Sequence, residues 1–508
     1  MIPNNDNNNA NKAEVIYHVF QRSFFDSNND KHGDLNGLKS KLDYLQELGI
    51  TSILLTPLNS SPYYHNYFAD NFETIDPKYG TMEDYFSLVH EVHKRGMKIY
   101  IDMEVQYVTE DHLWFKDSFE NPVSPYSDYV LYKDDANKVP ETIIYDTQGL
   151  LGYDDTYKNI TTVNLLNEDV QKYFYHLFSN WIDPKQDRSF DYGADGFRLD
   201  HMMDMLDEKE KLNHLFSSFW KPLIESLKRI NPNLIFIAEQ TNWGSYGEEY
   251  INEVGADRVF AFPLREAILS FNKDEIARVA EHTFSLTEKQ EQQIVFIENH
   301  DTHRFVTAVF RGIGKMRVGA ALNLLLGGTP AIYYGQEIGM KGGGGFGKYG
   351  NSDGNDIPRR EAFKWHKDIN ESGMCLWYEK SGPWWNDSTL TEQDNISLEQ
   401  QINNSSSLWN YYKKLIHLRK QHPALVSGIY KTTGNNSSAL FSFTRESEEE
   451  IILVIVNLTG YRQKTIIHTD HIHGTDFFML MGNANLSFVD DVASVEISSY
   501  NTGVWKLK

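Results

Sequence analysis

The chain has 508 residues, 40% hydrophobic and 13% aromatic, which is more than one compact unit needs and enough to bury a large core. A formal net charge of −23 argues against nucleic acid and anionic membrane as partners, since both reward Lys and Arg, and a neutral ligand is easier to reconcile with it. The single cysteine, Cys375, forbids an internal disulfide and leaves the redox compartment open. No stretch is long and apolar enough to span a bilayer, and the start lacks a signal-peptide core. Residues 1–12, Asn-rich from Asn4 onward, read as a disordered tail. The 29 Tyr, 29 Phe and 10 Trp either fill the core or stack on sugars.

A first strand is expected over 15–20. Soon after it, Asp26, Asn28, Asp30, His32 and Asp34 stand at alternate positions with Gly33 near the end, a pattern that can wrap a hard cation such as calcium. It departs from an EF-hand loop in Lys31 and Gly37, and a polar turn closed by Asx bonds would use the same residues. Leu38, Leu42, Leu45 and Leu48 recur at helical spacing until Gly49, and a second strand follows over 51–56. Beyond the aromatic loop 61–67, Thr81 and Asp84 cap a helix that buries Tyr85, Leu88, Val89 and Val92. Strand three, 98–102, delivers Asp102 at its end.

From 106 to 160 no period is sustained, which predicts a subdomain inserted after strand three. Helical spacing resumes in Val170, Tyr173, Phe174, Leu177 and Trp181 and leads into strand four, 196–199, a buried run closed by Asp200 with Arg198 two residues earlier. Such an Asp is a helix cap or ion-pair partner in most settings, and a candidate nucleophile at the carboxyl end of a barrel strand. A long helix over 211–230 points Leu212, Leu215, Phe216, Phe219, Leu223 and Leu227 inward. Strands at 234–238, before Glu239, at 259–262, at 294–297, before Glu298 to Asp301, and at 330–334 bring the count to eight. Gly342 to Lys348 mimics a phosphate-binding loop, but Tyr349 replaces the Ser or Thr that would hold magnesium, so we read a mobile glycine-rich loop over the barrel mouth. A last helix covers 408–420, and short alternating strands after Ser427 predict an antiparallel β-sandwich over 427–508.

Eight strands alternating with helices predict an α/β fold, a closed (β/α)8 TIM barrel built from 13–105 and 161–426. Asp102, Asp200, Glu239 and Asp301 then share one rim, where like charges repel and a structure kept only for stability would avoid them. Two carboxylates about 5 to 5.5 Å apart cleave glycosides with retention, one attacking the anomeric carbon while the other protonates the leaving oxygen. Asp200 and Glu239 fit those two roles.

At this point the sequence resembles glycoside hydrolase family 13, the α-amylase family, over nearly its whole length. Gly196-Phe197-Arg198-Leu199-Asp200 resembles the family's nucleophile motif, Ile237-Ala238-Glu239 its acid/base motif, and Glu298-Asn299-His300-Asp301-Thr302-His303-Arg304 its third-carboxylate motif. The resemblance implies that Asp200 carries the glycosyl intermediate, that Glu239 is acid and then base, and that Asp301 grips the distorted sugar with Arg198 and His300. It further implies substrate contacts from Tyr67, His65, Asp102, Tyr107 and Trp243, with Arg304 reaching the neighbouring unit, and a calcium loop at 26–34 as in part of the family. Gln106 stands where the family has a calcium-binding Asn, Tyr107 where it has a sugar-contacting His, Met203-Asp204 where many amylases have Lys-His, and Asn66 where Gly is usual. The expected activity is retaining hydrolysis of α-1,4-glucosidic bonds in starch-type glucans or maltooligosaccharides. The alternatives are a transglycosylase or isomerase on the same barrel, and a sugar-binding relative without activity, which the three surviving acids disfavour. No nucleic acid or transmembrane segment is expected, an extracytoplasmic location is favoured over the cytoplasm, and the oligomeric state is left open.

Overall fold

The structure is a computed structural model that describes residues 13–310, 312–345, 347–392, 394–468, 477–489 and 492–507. The tail expected over 1–12 lies outside the described residues. Eight parallel strands close a barrel: β1 (Ile16–Val19), β2 (Ser52–Leu55), β3 (Lys98–Met103), β4 (Gly196–Met202), β5 (Ile235–Gln240), β6 (Arg258–Phe260), β7 (Gln293–Val295) and β8 (Thr329–Tyr333). They pair in chain order, and β8 returns to β1 with Ala331 opposite Ile16.

Because side chains alternate along a strand, each strand feeds two cores. Ile16, Leu54, Tyr100, Ile237, Phe260, Ile294 and Ala331 pack together in the barrel interior. Tyr17, Val19, Ile53, Leu55, Ile99, Ile101 and Leu199 join the larger core beneath the surrounding helices. Two residues beyond Ile16, Tyr100 and Ile237, the same inward positions hold His18, Asp102 and Glu239. The acids at the mouth are thus a direct consequence of the period of two. Gly196 is required at the start of β4, since a Cβ there would lie 2.0 Å from the Ile235 carbonyl oxygen.

The helix at Met82–Lys94 has the expected capping box, with Thr81 and Asp84 each satisfying the other's backbone amide. Two helical readings change. The leucine series breaks at Lys41 into Leu35–Ser40 and Leu42–Leu48. The helix expected over 211–230 is regular only at Lys221–Ile230, preceded by a π-turn at Phe216–Trp220 and by 3-10 turns at Leu206–Glu208 and Glu210–Leu212. Pro222 explains the π-turn: it has no N–H to give the preceding turn, so the Lys221 amide reaches back five residues to the Phe216 carbonyl.

The insertion after β3 folds around a three-stranded antiparallel sheet of Tyr107–Thr109, Tyr157–Thr162 and Gly149–Leu151, so its central strand runs slightly past residue 160. After the helices at Leu408–Gln421 and Pro423–Ser427, a five-stranded and a three-stranded antiparallel sheet enclose a separate core that includes Leu453, Ile455, Ile467, Val495 and Trp505. No helix among the described residues is long and apolar enough to cross a membrane.

Candidate active site

Arg198 is the hub of the barrel mouth. Its guanidinium is 1% exposed; Nη1 donates to both Asp102 oxygens at 2.8 Å and to Asp200 Oδ1, while Nη2 lies 2.7 Å from Glu239 Oε2. The β4 backbone makes this convergence possible. Register between β4 and β5 shifts between Ala238 and Gln240, and His201, opposite the shift, has a left-handed φ of 48°. A bulge of this kind re-aims neighbouring side chains, and here the His201 amide faces Glu239 Oε2 at 3.3 Å. Gln106, which replaces the family's asparagine, donates its amide to the carbonyls of Asp200 at 2.8 Å and His201 at 2.9 Å, so it fixes the same turn from the other side.

The carboxylates of the barrel mouth have unequal fates. Burial pushes the Glu239 carboxyl well above the usual range, and Asp200, Asp301 and Asp102 add to that against the pull of Arg198. Burial likewise lifts Asp102 to about 6, with Arg198 opposing and Asp200 reinforcing. At Asp301 burial acts upward too, but His300, Arg360 and Arg198 outweigh it and hold the carboxyl well below its ordinary value. Side-chain exposure separates the four: 30% for Asp301, 16% for Asp200 and 8% for Glu239, which can reach a ligand, against 0% for Asp102, which cannot.

Tyr67 forms the wall beside these acids. Its hydroxyl donates to Asp102 Oδ2 at 2.7 Å and sits 2.7 Å from His300 Nε2, and its ring lies parallel to His300 at 5.6 Å. His65 supports it from behind, accepting the Tyr67 amide on Nδ1 at 3.2 Å. His300 Nε2 lies 2.9 Å from Asp301 Oδ2, and Arg360 Nη2 lies 3.0 Å from Oδ1. Trp243 stands at the rim beyond β5, 40% exposed and stacked on Phe262 at 4.7 Å.

The structure revises three expected sugar contacts. Arg304 is fully buried: Nη1 donates to Glu298 Oε1 at 2.9 Å and to the Tyr334 carbonyl, and its plane covers Tyr333 and Tyr334, so it cannot reach a neighbouring unit. Tyr107 is 3% exposed and spends its hydroxyl on Asp207 Oδ2 at 2.7 Å. Asp102 orients Arg198 and Tyr67 and does not face the cavity. Met203-Asp204 is likewise local architecture, the Asp204 carboxylate accepting the Phe216 amide at 2.9 Å. Sequence reasoning missed Arg359 and Arg360, which bind the Asp301 carbonyl and carboxylate from the loop after β8. Their one signal was a pair of adjacent arginines with no helical or strand period around them.

The 26–34 loop closes on itself. Asp26 accepts the amides of Asn28, Asn29 and Lys31, and Asp34 accepts those of Ser27 and Gly37. Asn28 and Asp30 accept the amides two residues on. Among the described residues, no group of three or more His, Cys, Asp or Glu is arranged to hold a metal ion.

A parallel barrel whose mouth gathers carboxylates of unequal acidity, flanked by a tyrosine and imidazoles, is the arrangement of an enzyme that makes or breaks glycosidic bonds. Comparison with known proteins agrees. A family model for the alpha amylase catalytic domain matches residues 18–428, and the chain belongs to the α-amylase family, glycoside hydrolase family 13. It is 30% identical over 458 residues to Alpha-amylase 3 of Dictyoglomus thermophilum, covering 88% of this chain and 85% of that protein. It is 26% identical to the trehalose synthase/amylase TreS of Mycolicibacterium smegmatis, over 89% of this chain and 84% of the relative. Among solved structures, the α-amylase from H. orenii superposes with a TM-score of 0.80 at 26% identity, covering 97% and 99% of the two chains.

Proposed function

We propose that the protein is a retaining α-glycosidase that acts on α-1,4-linked glucosyl units of maltooligosaccharides or starch-type glucans. The observation that carries this reading is the shared guanidinium of Arg198, which brings Asp200 and Glu239 to one point while their surroundings give them different tasks. Glu239, kept protonated by burial and neighbouring carboxylates, gives its proton to the glycosidic oxygen as the C1–O bond breaks. Asp200, with Arg198 as counter-ion, forms the new bond to C1 from the opposite face. The Glu239 carboxylate then takes a proton from water as the water oxygen bonds C1 and Asp200 departs. Asp301, held ionised by His300 and Arg360, grips the sugar hydroxyls, and Tyr67 stacks on the ring.

Proton NMR of a maltooligosaccharide digest tests the pathway: the α-anomer should appear first and mutarotate later, and initial β-anomer would overturn it. A second reading, glycosyl transfer or isomerisation, draws support from the relative named trehalose synthase/amylase. Products longer than the substrate, or a rearranged disaccharide, at high maltooligosaccharide concentration would favour it. We further propose that the 26–34 loop takes calcium through Asp26, Asn28, Asp30, His32 and Asp34. The alternation of Asp and Asn side-chain oxygens supports this.

A further inference from the structure

The site is unequal on the two sides of the bond to be cut. Glu239 protonates the leaving oxygen, so the departing portion of the substrate lies toward β5, and the far end of the bound sugar points the other way, past Tyr67 and Asp301. On the leaving side the rim is open, with Asp204 44% and Trp243 40% exposed. On the far side Tyr64 is 2% and Trp377 7% exposed, both packed into the core.

One arginine ties that far side directly to the site. Arg360 Nη2 lies 3.0 Å from Asp301 Oδ1, and its Nη1 donates to the Tyr64 hydroxyl at 3.1 Å. A single guanidinium thus separates the carboxylate that holds the sugar from the Tyr64 ring. Tyr64 is also locked in place. Its hydroxyl donates to the Asp353 carbonyl at 3.1 Å, and its ring stacks on Trp377 at 4.7 Å and 25°. Tyr153, from the inserted subdomain, closes edge-on against Tyr64 at 5.6 Å and Trp377 at 5.2 Å. Trp377 Nε1 donates to Ser23 Oγ at 2.8 Å in the loop after β1. Segments far apart in the chain meet in this wall, and a side chain held by two hydrogen bonds, a stack and an edge contact does not swing aside for a second sugar.

We propose that the Tyr64–Trp377 wall makes the site a blind pocket with room for one sugar residue beyond the scissile bond, so that the enzyme removes or transfers terminal α-glucosyl units from non-reducing ends and does not cut within chains. This rests on the glycosidase reading above and adds the class of substrate to it.

The test compares p-nitrophenyl α-maltoheptaoside with a free non-reducing end and the same compound blocked there by a 4,6-O-ethylidene group, with p-nitrophenyl α-glucoside alongside. The expected result is that the free compound loses single glucosyl units while the blocked one is cleaved at less than one tenth of its rate. Trp377→Ala, which takes away the stack behind Tyr64, should raise the blocked-to-free ratio at least tenfold; if that variant fails to fold, the wild-type ratio decides. Cleavage of the blocked compound at a tenth of the free rate or more overturns the pocket and leaves the glycosidase reading standing. Turnover of none of the three substrates overturns both.

Discussion

The two ends of one barrel lumen hold charges in opposite proportions. At the closed end, Glu14, just before β1, meets Arg258 Nη2 at 2.5 Å and accepts hydroxyl hydrogen bonds from Ser52 and Tyr100. One acid faces one base there with further donors to spare, and although burial pushes the Glu14 carboxyl up, Arg258 and the hydroxyls bring it down to about 2. At the open end, Arg198 alone serves Asp102, Asp200 and Glu239, and two of those carboxyls are displaced upward. Tyr100 and Asp102, two residues apart on β3, belong to the two ends respectively. A buried pair with matched partners roughly offsets its own desolvation and becomes costly only when one partner is removed; a buried excess of one charge costs stability and persists where chemistry requires it.

The contrast predicts opposite penalties for removing an acid. Glu239→Gln should lower kcat by about 10²- to 10⁴-fold, or roughly 3 to 5 kcal/mol of transition-state stabilisation, and Asp200→Asn by at least as much. Neither should lower the melting temperature: Asp200→Asn takes a like charge out of a crowded cluster, and Glu239→Gln replaces a protonated acid by a neutral group of the same shape; a melt that drops by several degrees would show that the carboxylates there are structural. Glu14→Gln should behave in reverse. It leaves Arg258 buried without a counter-ion, at a cost of about 3 to 5 kcal/mol in denaturant unfolding, with kcat of the folded enzyme within twofold of wild type.

The functional end was far more readable in the sequence than the structural one. Strand ends announce themselves, because an apolar run that stops at a carboxylate is visible in one line of text, and the period of two then aims Asp102, Asp200 and Glu239 at a common axis. The Glu14–Arg258 pair spans 244 positions with no pattern between them, and Arg360 reaches Asp301 across 59 positions from a loop without period. Pairing of that kind is decided by barrel closure, which no local window contains. Arg304 shows the complementary failure: its place in a recognisable motif suggested a sugar contact, whereas the Glu298 carboxylate and two tyrosine faces take it into the core. The helix before β5 failed for a local reason, Pro222, that was in plain view.

Acid should also act differently on the two ends. Glu14 has a folded value of about 2 against an ordinary 4.5, so its contribution, about 3 kcal/mol, is complete above pH 4.5 and is lost as pH falls toward 2. Asp102 and Glu239 are raised, so they burden the fold at high pH, and that burden is relieved as pH falls through about 6 for Asp102. The melting temperature of the wild type should therefore rise modestly between pH 8 and 5 and collapse only below about 4. Glu239→Gln should flatten the first change and Glu14→Gln the second; a curve unaltered by either substitution would contradict the assignment. Activity follows the same groups. The rate should fall on the alkaline side as Glu239 loses its proton, and on the acid side near pH 6 as protonated Asp102 loosens its hold on Arg198.

The smallest effect belongs to calcium, because the 26–34 loop is remote in kind from both charge clusters. Its carboxylates already accept backbone amides, so the metal would reinforce a turn that stands without it. An ion present at a hundred times its Kd adds about 2.7 kcal/mol to a folded state it binds selectively, which in a chain of this size moves the melting temperature by only a few degrees. Chelation should therefore lower the melt slightly, leave kcat unchanged, and have no effect in Asp30→Ala, whose side chain takes part in the turn without any contact to the barrel mouth. A chelator that shifts neither quantity removes calcium from the account. One that lowers kcat as steeply as the melt would place the ion within reach of the Arg198 cluster, and the chemistry would no longer be separate from the scaffold.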